Sequence, residues 1–278
     1  MFRRINCPKC NQPYDEMKQN CPHCNEPNEK VPQHKLFGNK ATFVPFWLEI
    51  VLFAVGWLGF QVLGLVLSLV IKLAPWDVIV KEAVLTFSAY GLLGGIMIAI
   101  SCKHLKELAL SFKKWLVPVS AIVGFIAILN FNMVYGSIIK LIHLDISDNA
   151  NETSINSITT VYPLLSILII GLVGPLCEEL TYRVGFYSFF RRINKYLAYA
   201  LTMVFFAFIH FDFEAFSIGG ATLINEFLNL PYYLAAAFVF TFLYEKIGFG
   251  ASFACHATNN LASVLSTLLL SKTAFMIL

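Results

Sequence analysis

Charge is scarce in this chain. Asp, Glu, Lys and Arg make up 13% of its 278 residues, against roughly a quarter in a soluble domain of similar size. With 58% hydrophobic residues and a mean hydropathy of +0.69, that shortage excludes an ordinary soluble enzyme and predicts an all-α polytopic membrane protein. The net charge of +3 is small and is better read loop by loop; membrane lipid is an expected partner and nucleic acid is not. No cleavable signal peptide is visible, so the first span is expected to act as its own insertion signal. No HExxH pair occurs, and no inverted repeat argues for a transporter. Phenylalanine, by contrast, is abundant, with 26 copies.

Residues 1–30 also lack something, since they have almost no apolar residues from which to build a core. They do carry "CPKC" at 7–10 and "CPHC" at 21–24. Each CxxC knuckle can aim two thiolates at one metal, and two knuckles complete a tetrahedral set. Cys7, Cys10, Cys21 and Cys24 are therefore expected to hold a structural zinc whose binding supplies the folding energy. Two disulfides or unligated thiols are the alternatives. The pattern resembles the zinc ribbons at the N-termini of many bacterial membrane proteins, which implies a cytosolic protein partner or a simple cap. A polar linker follows at 31–45.

Apolar runs fill the rest. Spans are expected near 46–71, 82–101 and 116–142, then 159–190, 196–211, 231–245 and 250–271. About 20 apolar residues make one crossing, so seven to eight transmembrane helices are predicted, with 215–230 either crossing or re-entering. The N-terminal helices occupy 46–145 and a second group 159–271. Arg3, Arg4 and the linker lysines, "KHLKELALSFKK" at 103–114 and "RRINK" at 191–195 are basic, whereas "APWD" and the loop at 143–157 are not. The positive-inside rule then places the N-terminus in the cytosol of an integral cell-membrane protein. A reducing compartment suits metal-bound cysteines.

Against this background "GPLCEELTYRVGFY", at 174–187, is anomalous. A charge at mid-bilayer costs about 2.5–3.5 kcal/mol on insertion scales, so an intramembrane acid is a functional-site candidate. Glu179 and Arg183 are four residues apart, on one helical face, with the acid first, which is the favourable order for an ion pair. Glu178 is rotated about 100° away and is left available. A buried polar knot that only fixes helix packing is the bland reading. Two further stretches argue against it: "FFAFIH" ends in His210, and "HATNN" carries His256 and Asn260 one turn apart. Glu178 lies 13 residues before Arg191, and His210 lies 15 after Lys195. Both therefore sit roughly 20 Å from the basic loop along their helices. Access for water is expected from the cytosolic side.

"EELTYR", "FAFIH" and "HATNN" resemble the EExxxR, FxxxH and HxxxN motifs of the CPBP family of intramembrane proteases. These include the CAAX prenyl endopeptidases and the bacteriocin-processing and self-immunity proteins. The resemblance covers about 160–271. It implies that Glu178 and His210 activate the attacking water, that His256 and Asn260 stabilise the oxyanion, and that Glu179 and Arg183 support them. Tyr182 stands where many members carry Phe. The family has been called metalloprotease, since two Glu and two His could bind zinc. The reading favoured here is a Glu/His-activated water with no obligatory metal, and the presence of a catalytic metal is left open. An intramembrane endopeptidase acting on a membrane-associated peptide or protein is the expected function. A catalytically idle scaffold of the same family, serving immunity or regulation, is the alternative.

Other polar residues get plainer readings. Cys177 and Cys255 are expected to be apolar filler, and Glu49, Glu82 and Lys140 to snorkel at span ends. Asn130 and Asn132 are expected to bond between helices. Glu226 is expected to line a substrate entrance or to face water.

Overall fold

The "CPxCN" repeat folds twice into the same turn. Asn11 and Asn25, which close the two knuckles, both have positive φ, 55° and 60°, a conformation that Asn tolerates better than most residues. Each amide donates to the carbonyl of its knuckle's first cysteine, Asn11 to Cys7 and Asn25 to Cys21, at 2.9 Å in both cases. Flanking the first knuckle, β1 (Arg4–Asn6) pairs antiparallel with β2 (Pro13–Asp15), Ile5 opposite Tyr14. Tyr14, Cys7 and Cys21 are the buried centre of this small unit. The computed structural model describes residues 4–16, 18, 20–28 and 44–277, with backbone alone after Ser271. Arg3, the linker lysines and nearly all of the expected linker 31–45 lie outside the described residues.

The remainder is helical. It comprises α1 (Phe46–Ile71), α2 (Val78–Ile100), the short α3 (Leu105–Ser111), α4 (Leu116–Leu141) and α5 (Ala150–Val161). Then follow α6 (Pro163–Arg191), α7 (Lys195–Phe208), α8 (Gly220–Lys246) and α9 (Phe249–Ile277). Among the described residues α1, α2, α4, α6 and α8 are long and apolar enough to cross a membrane. With them pack the 14-residue apolar α7 and the 29-residue α9. Large apolar side chains such as Leu65, Val70, Leu164 and Leu269 stand exposed; a helix face of this kind requires lipid. The protein is an integral membrane protein.

Two boundaries differ from the sequence expectation. The loop at 143–157 contains most of α5, because Asn149 caps it, its Oδ1 accepting from the Glu152 amide at 3.0 Å. That Asx cap, with Glu at the third helical position, is a local helix-start signal. Tyr162 then breaks the chain out of helix, as a residue before proline tends to, and α6 begins at Pro163. The expected span 159–190 is thus two helices. Conversely, 215–230 and 231–245 are not two segments. The turn Ala215–Ile218 ends at Gly219 and Gly220, both at positive φ, and α8 then runs unbroken through Pro231. Packed neighbours make a proline tolerable inside a membrane helix. The stretch 215–230 thus leads into the α8 span and adds no further one.

One end of the bundle gathers the ribbon, α3 and the loops before α7 and α9. Arg192 donates from Nε and Nη2 to Glu49 of α1, both at 2.8 Å, and pairs through Nη1 with Asp15 of β2. Arg191 likewise grips Glu245 of α8, with Nη2–Oε1 at 2.9 Å. Glu49 does not snorkel: it is fully buried, the counter-charge of Arg192. Since α4 rises 26 residues from that end, α5 lies at the other, about 40 Å away.

The α1–α6 contact is unusually close. A Cβ on Gly185 would lie 2.7 Å from the Phe53 amide nitrogen, and one on Gly56 would lie 1.9 Å from Thr181 Oγ1. Small residues allow such backbone approach where helices pack in lipid.

Candidate active site

α6 carries the acidic pair through two stretches of wider, π-helical turn, Ile169–Val173 and Glu179–Tyr187. The first lies just before Gly174–Pro175, where Pro175 has no N–H to continue the ladder. Such bulges are frequent at functional sites.

Glu179 is fully buried and fully engaged. Arg183 Nη1 lies 3.1 Å from its Oε1, so the expected ion pair is present. His256 Nδ1 lies 2.9 Å from the same oxygen, and Ser252 Oγ donates to Oε2. A carboxylate only accepts, so His256 carries its proton on Nδ1, and Nε2 faces the other way. Arg183 is also fully buried, its guanidinium carbon 4.5 Å above the Phe206 ring and 5.3 Å from that of Phe240. The ion pair lacks hydrogen-bond angles, and the three guanidinium nitrogens are otherwise unbonded. The aromatic faces therefore complete the cation's surroundings.

Glu178 points elsewhere, as its rotation from Glu179 requires. Its Oε1 accepts from Tyr90 Oη at 3.1 Å, and its Oε2, 3.6 Å from His256 Nε2, has no hydrogen-bond partner. His210 follows α7 by one residue past its C-cap. Its Nδ1 lies 2.8 Å from the Phe206 carbonyl, which can only accept, so in the neutral ring Nε2 is the unprotonated nitrogen. Its ring stacks on Tyr233 at 4.4 Å and 15°. Asn149 Nδ2 bonds its carbonyl at 3.1 Å while Tyr233 Oη reaches Asn149 Oδ1 at 3.3 Å. Asn260 donates from Nδ2 to Ile170 O at 3.2 Å, which leaves it a second N–H.

Glu178, His210, His256, Asn259, Asn260 and Tyr90 line one cavity of about 270 Å³. Glu179 and Arg183 stand behind it. Its further polar lining includes Asn151, Glu152 and Ser154 of α5, with Gln61, Thr86, Thr181 and Ser263 from the spanning helices. Burial, together with the neighbouring Asp148, raises the Glu152 carboxyl above its ordinary range. Part of the polar lining thus comes from the end of the bundle away from the ribbon, whereas water access was expected from the basic-loop side.

Several partners carry no local signal. Tyr90, Phe240, Ser252, Tyr233 and Asn149 act across helices, and only Ser252 has a spacing cue, four residues before His256. Glu226 neither faces water nor lines this cavity: its oxygens accept from the Ala150 and Asp212 amides at 3.2 and 3.0 Å, pinning α5 and the 209–214 loop to α8. Asn130 bonds its own helix, to Ile126 O at 2.8 Å.

A second polar centre lies in the ribbon. The ligand atoms of Cys7, Cys10, Cys21 and Cys24 all fall within 4.8 Å of one another, and no other such group of His, Cys, Asp or Glu occurs among the described residues. Cys7–Cys24 and Cys10–Cys21 Sγ distances are 3.4 and 3.6 Å, close to the edge of about 3.8 Å of a tetrahedron with Zn–S near 2.3 Å. The thiols differ sharply. Burial raises Cys7, but the Cys10 and Lys9 amides outweigh it and bring it down to about 7. Cys24, despite the Glu26 amide, is pushed up to about 12 by burial and by the other thiols. Four such sulfurs can bind a metal such as zinc. Glu178, Glu179, His210 and His256 form no comparable donor set, since Glu179 is committed to Arg183, His256 and Ser252.

The fold and site define a helical membrane protein with a buried Glu/Arg/His cluster. Residues 160–262 match the family model described as type II CAAX prenyl endopeptidase Rce1-like, so the resemblance in the sequence holds over that segment. The UPF0177 protein YvdC of Lactococcus lactis subsp. lactis (strain IL1403) is 26% identical over 104 residues, which are 37% of this chain and 40% of that protein. The chain thus spans well under half the length of this curated relative. No solved structure matches.

Proposed function

We propose that the protein is an intramembrane endopeptidase that hydrolyses a peptide bond of a membrane-associated peptide or protein. One observation carries the reading: the free oxygen of Glu178 and the two histidines share a single cavity inside the bundle. Water held between Glu178 Oε2 and the bare Nε2 of His210 loses a proton to Glu178 as its oxygen attacks the scissile carbonyl. The C=O π bond opens to an oxyanion. Asn260 offers its second N–H, and a doubly protonated His256 would donate from Nε2. Glu178 then passes the proton to the leaving nitrogen as the C–N bond breaks. Glu179 and Arg183 act through His256, which they hold in place. The family match supports hydrolase chemistry at this site. The substrate's prenylation and sequence are separate questions.

The ribbon is proposed to hold one structural zinc on Cys7, Cys10, Cys21 and Cys24. The N-terminus is proposed to be cytosolic, where the ribbon could meet a protein partner.

Comparative peptidomics of cells carrying wild type or Glu178→Ala tests the activity. Membrane-derived peptides present only with wild type are expected. Identical peptidomes, with both proteins expressed equally, would refute the reading.

A further inference from the structure

The N-terminal spans lie outside the matched segment, yet one of them touches the reacting carboxylate. Tyr90, in the middle of α2, donates its Oη–H to Oε1 of Glu178 at 3.1 Å. The other oxygen, Oε2, is the one that faces His256 Nε2 at 3.6 Å and is unbonded. The Tyr90 ring is itself held, packing on Phe60 of α1 at 5.0 Å and 51°. The backbone of Tyr90 is fixed against the same stretch of α6, its carbonyl accepting from Cys177 Sγ at 3.8 Å. A glutamate side chain has three rotatable bonds and two equivalent oxygens. A donor on one oxygen selects both a rotamer and the oxygen that stays free.

We propose that Tyr90 is a positioning residue of the hydrolytic site: it binds Oε1 of Glu178, so that Oε2 alone is presented to the attacking water. The inference rests on Glu178 being the base of the proposed endopeptidase. It means that the catalytic unit extends beyond 160–262, and that α2 contributes an oriented hydroxyl as well as a packing surface. The hydroxyl is bonded to Glu178, and the proposed role runs through that carboxylate. Its effect is exerted through Glu178, and so it belongs to turnover rather than to substrate binding.

The test uses the full chain in lipid vesicles. Infrared difference spectra between wild type and Glu178→Gln isolate the bands of the Glu178 carboxyl group. In Tyr90→Phe, which keeps the ring and its contact with Phe60, those bands should shift, because one oxygen has lost its donor. On a peptide that peptidomics shows to be cleaved by wild type and not by Glu178→Ala, Tyr90→Phe should lower kcat about tenfold, the scale of one charge-assisted hydrogen bond. KM and the thermal unfolding midpoint should not change. Unmoved Glu178 bands in Tyr90→Phe overturn the proposal, and so does full kcat in that variant. A Glu178→Ala protein that still cleaves would instead overturn the hydrolytic reading itself.

Discussion

Phe206 shows how much a single side chain carries here. Its face takes the Arg183 guanidinium at 4.5 Å, its ring meets those of His210 at 4.9 Å and His256 at 5.9 Å, and its carbonyl fixes the His210 tautomer. A phenylalanine one turn before a histidine thus has a physical reason, which the spacing alone did not disclose. The Glu179–Arg183 pair was legible, because i,i+4 geometry is local; Tyr90 and Tyr233 were not, because contacts across helices leave no periodicity. The two glutamates should separate in mutants. Glu179→Ala strands the fully buried Arg183 and removes the acceptor of His256 Nδ1. Loss of one partner of a buried pair costs about 3–5 kcal/mol, so thermal unfolding in detergent should fall markedly. Glu178→Ala and His210→Ala should unfold close to wild type and yet show no cleavage. A Glu179→Ala protein as stable as wild type would mean that Arg183 finds other compensation.

At the level of elements, α6 is the helix on which the site depends, and its wide turns were invisible in sequence because the apolar pattern continues through them. The break at Tyr162 and the continuity through Pro231 were likewise misjudged, since proline signals a boundary in one case and merely a strained turn in the other. Helix number and class were legible, because runs of about 20 apolar residues admit few alternatives. Gly185 sits where α6 meets α1 backbone to backbone. Gly185→Ala places a Cβ 2.7 Å from the Phe53 amide nitrogen and 3.0 Å from the Glu49 carbonyl, neither of which is a flexible side-chain end. Overpacking of this kind costs about 1–3 kcal/mol. Because the displaced helix also carries Glu49, the Arg192 contact should weaken with it. Thermal unfolding is expected to drop in Gly185→Ala, and far less in Gly64→Ala, where an added Cβ meets nothing within 4 Å.

At the scale of the whole molecule the ribbon and the bundle meet through Arg192, bound on one side by Asp15 and on the other by buried Glu49. Truncation to residue 44 removes Asp15 but leaves the bidentate Glu49 partner. The bundle should therefore stay folded while metal analysis shows the loss of about one zinc per chain. Zinc that persists after truncation would instead place a metal in the Glu/His cluster. The ribbon also marks one end of the bundle, and α5 contributes to the cavity from the other. Asn151, Glu152 and Ser154 line the cavity from α5, at the end of the bundle opposite Arg192, whereas Lys195 lies at the ribbon end. Glu178 sits 15 residues from Pro163 and 13 from Arg191, near mid-span, so water has about 20 Å to travel from either face. On the α5 side that path is lined by the polar Asn151, Glu152 and Ser154. Single cysteines at Asn151, Asn259 and Lys195, in the full chain with Cys102, Cys177 and Cys255 replaced by alanine, can be probed with a membrane-impermeant thiol reagent on vesicles of each orientation. Asn151→Cys and Asn259→Cys should react from the same face, and Lys195→Cys from the other. With the ribbon cytosolic, the first two label from outside, and water enters the mid-span site from the outer face. Asn259→Cys labelled only from the face that labels Lys195→Cys would reverse this assignment and return water entry to the ribbon side.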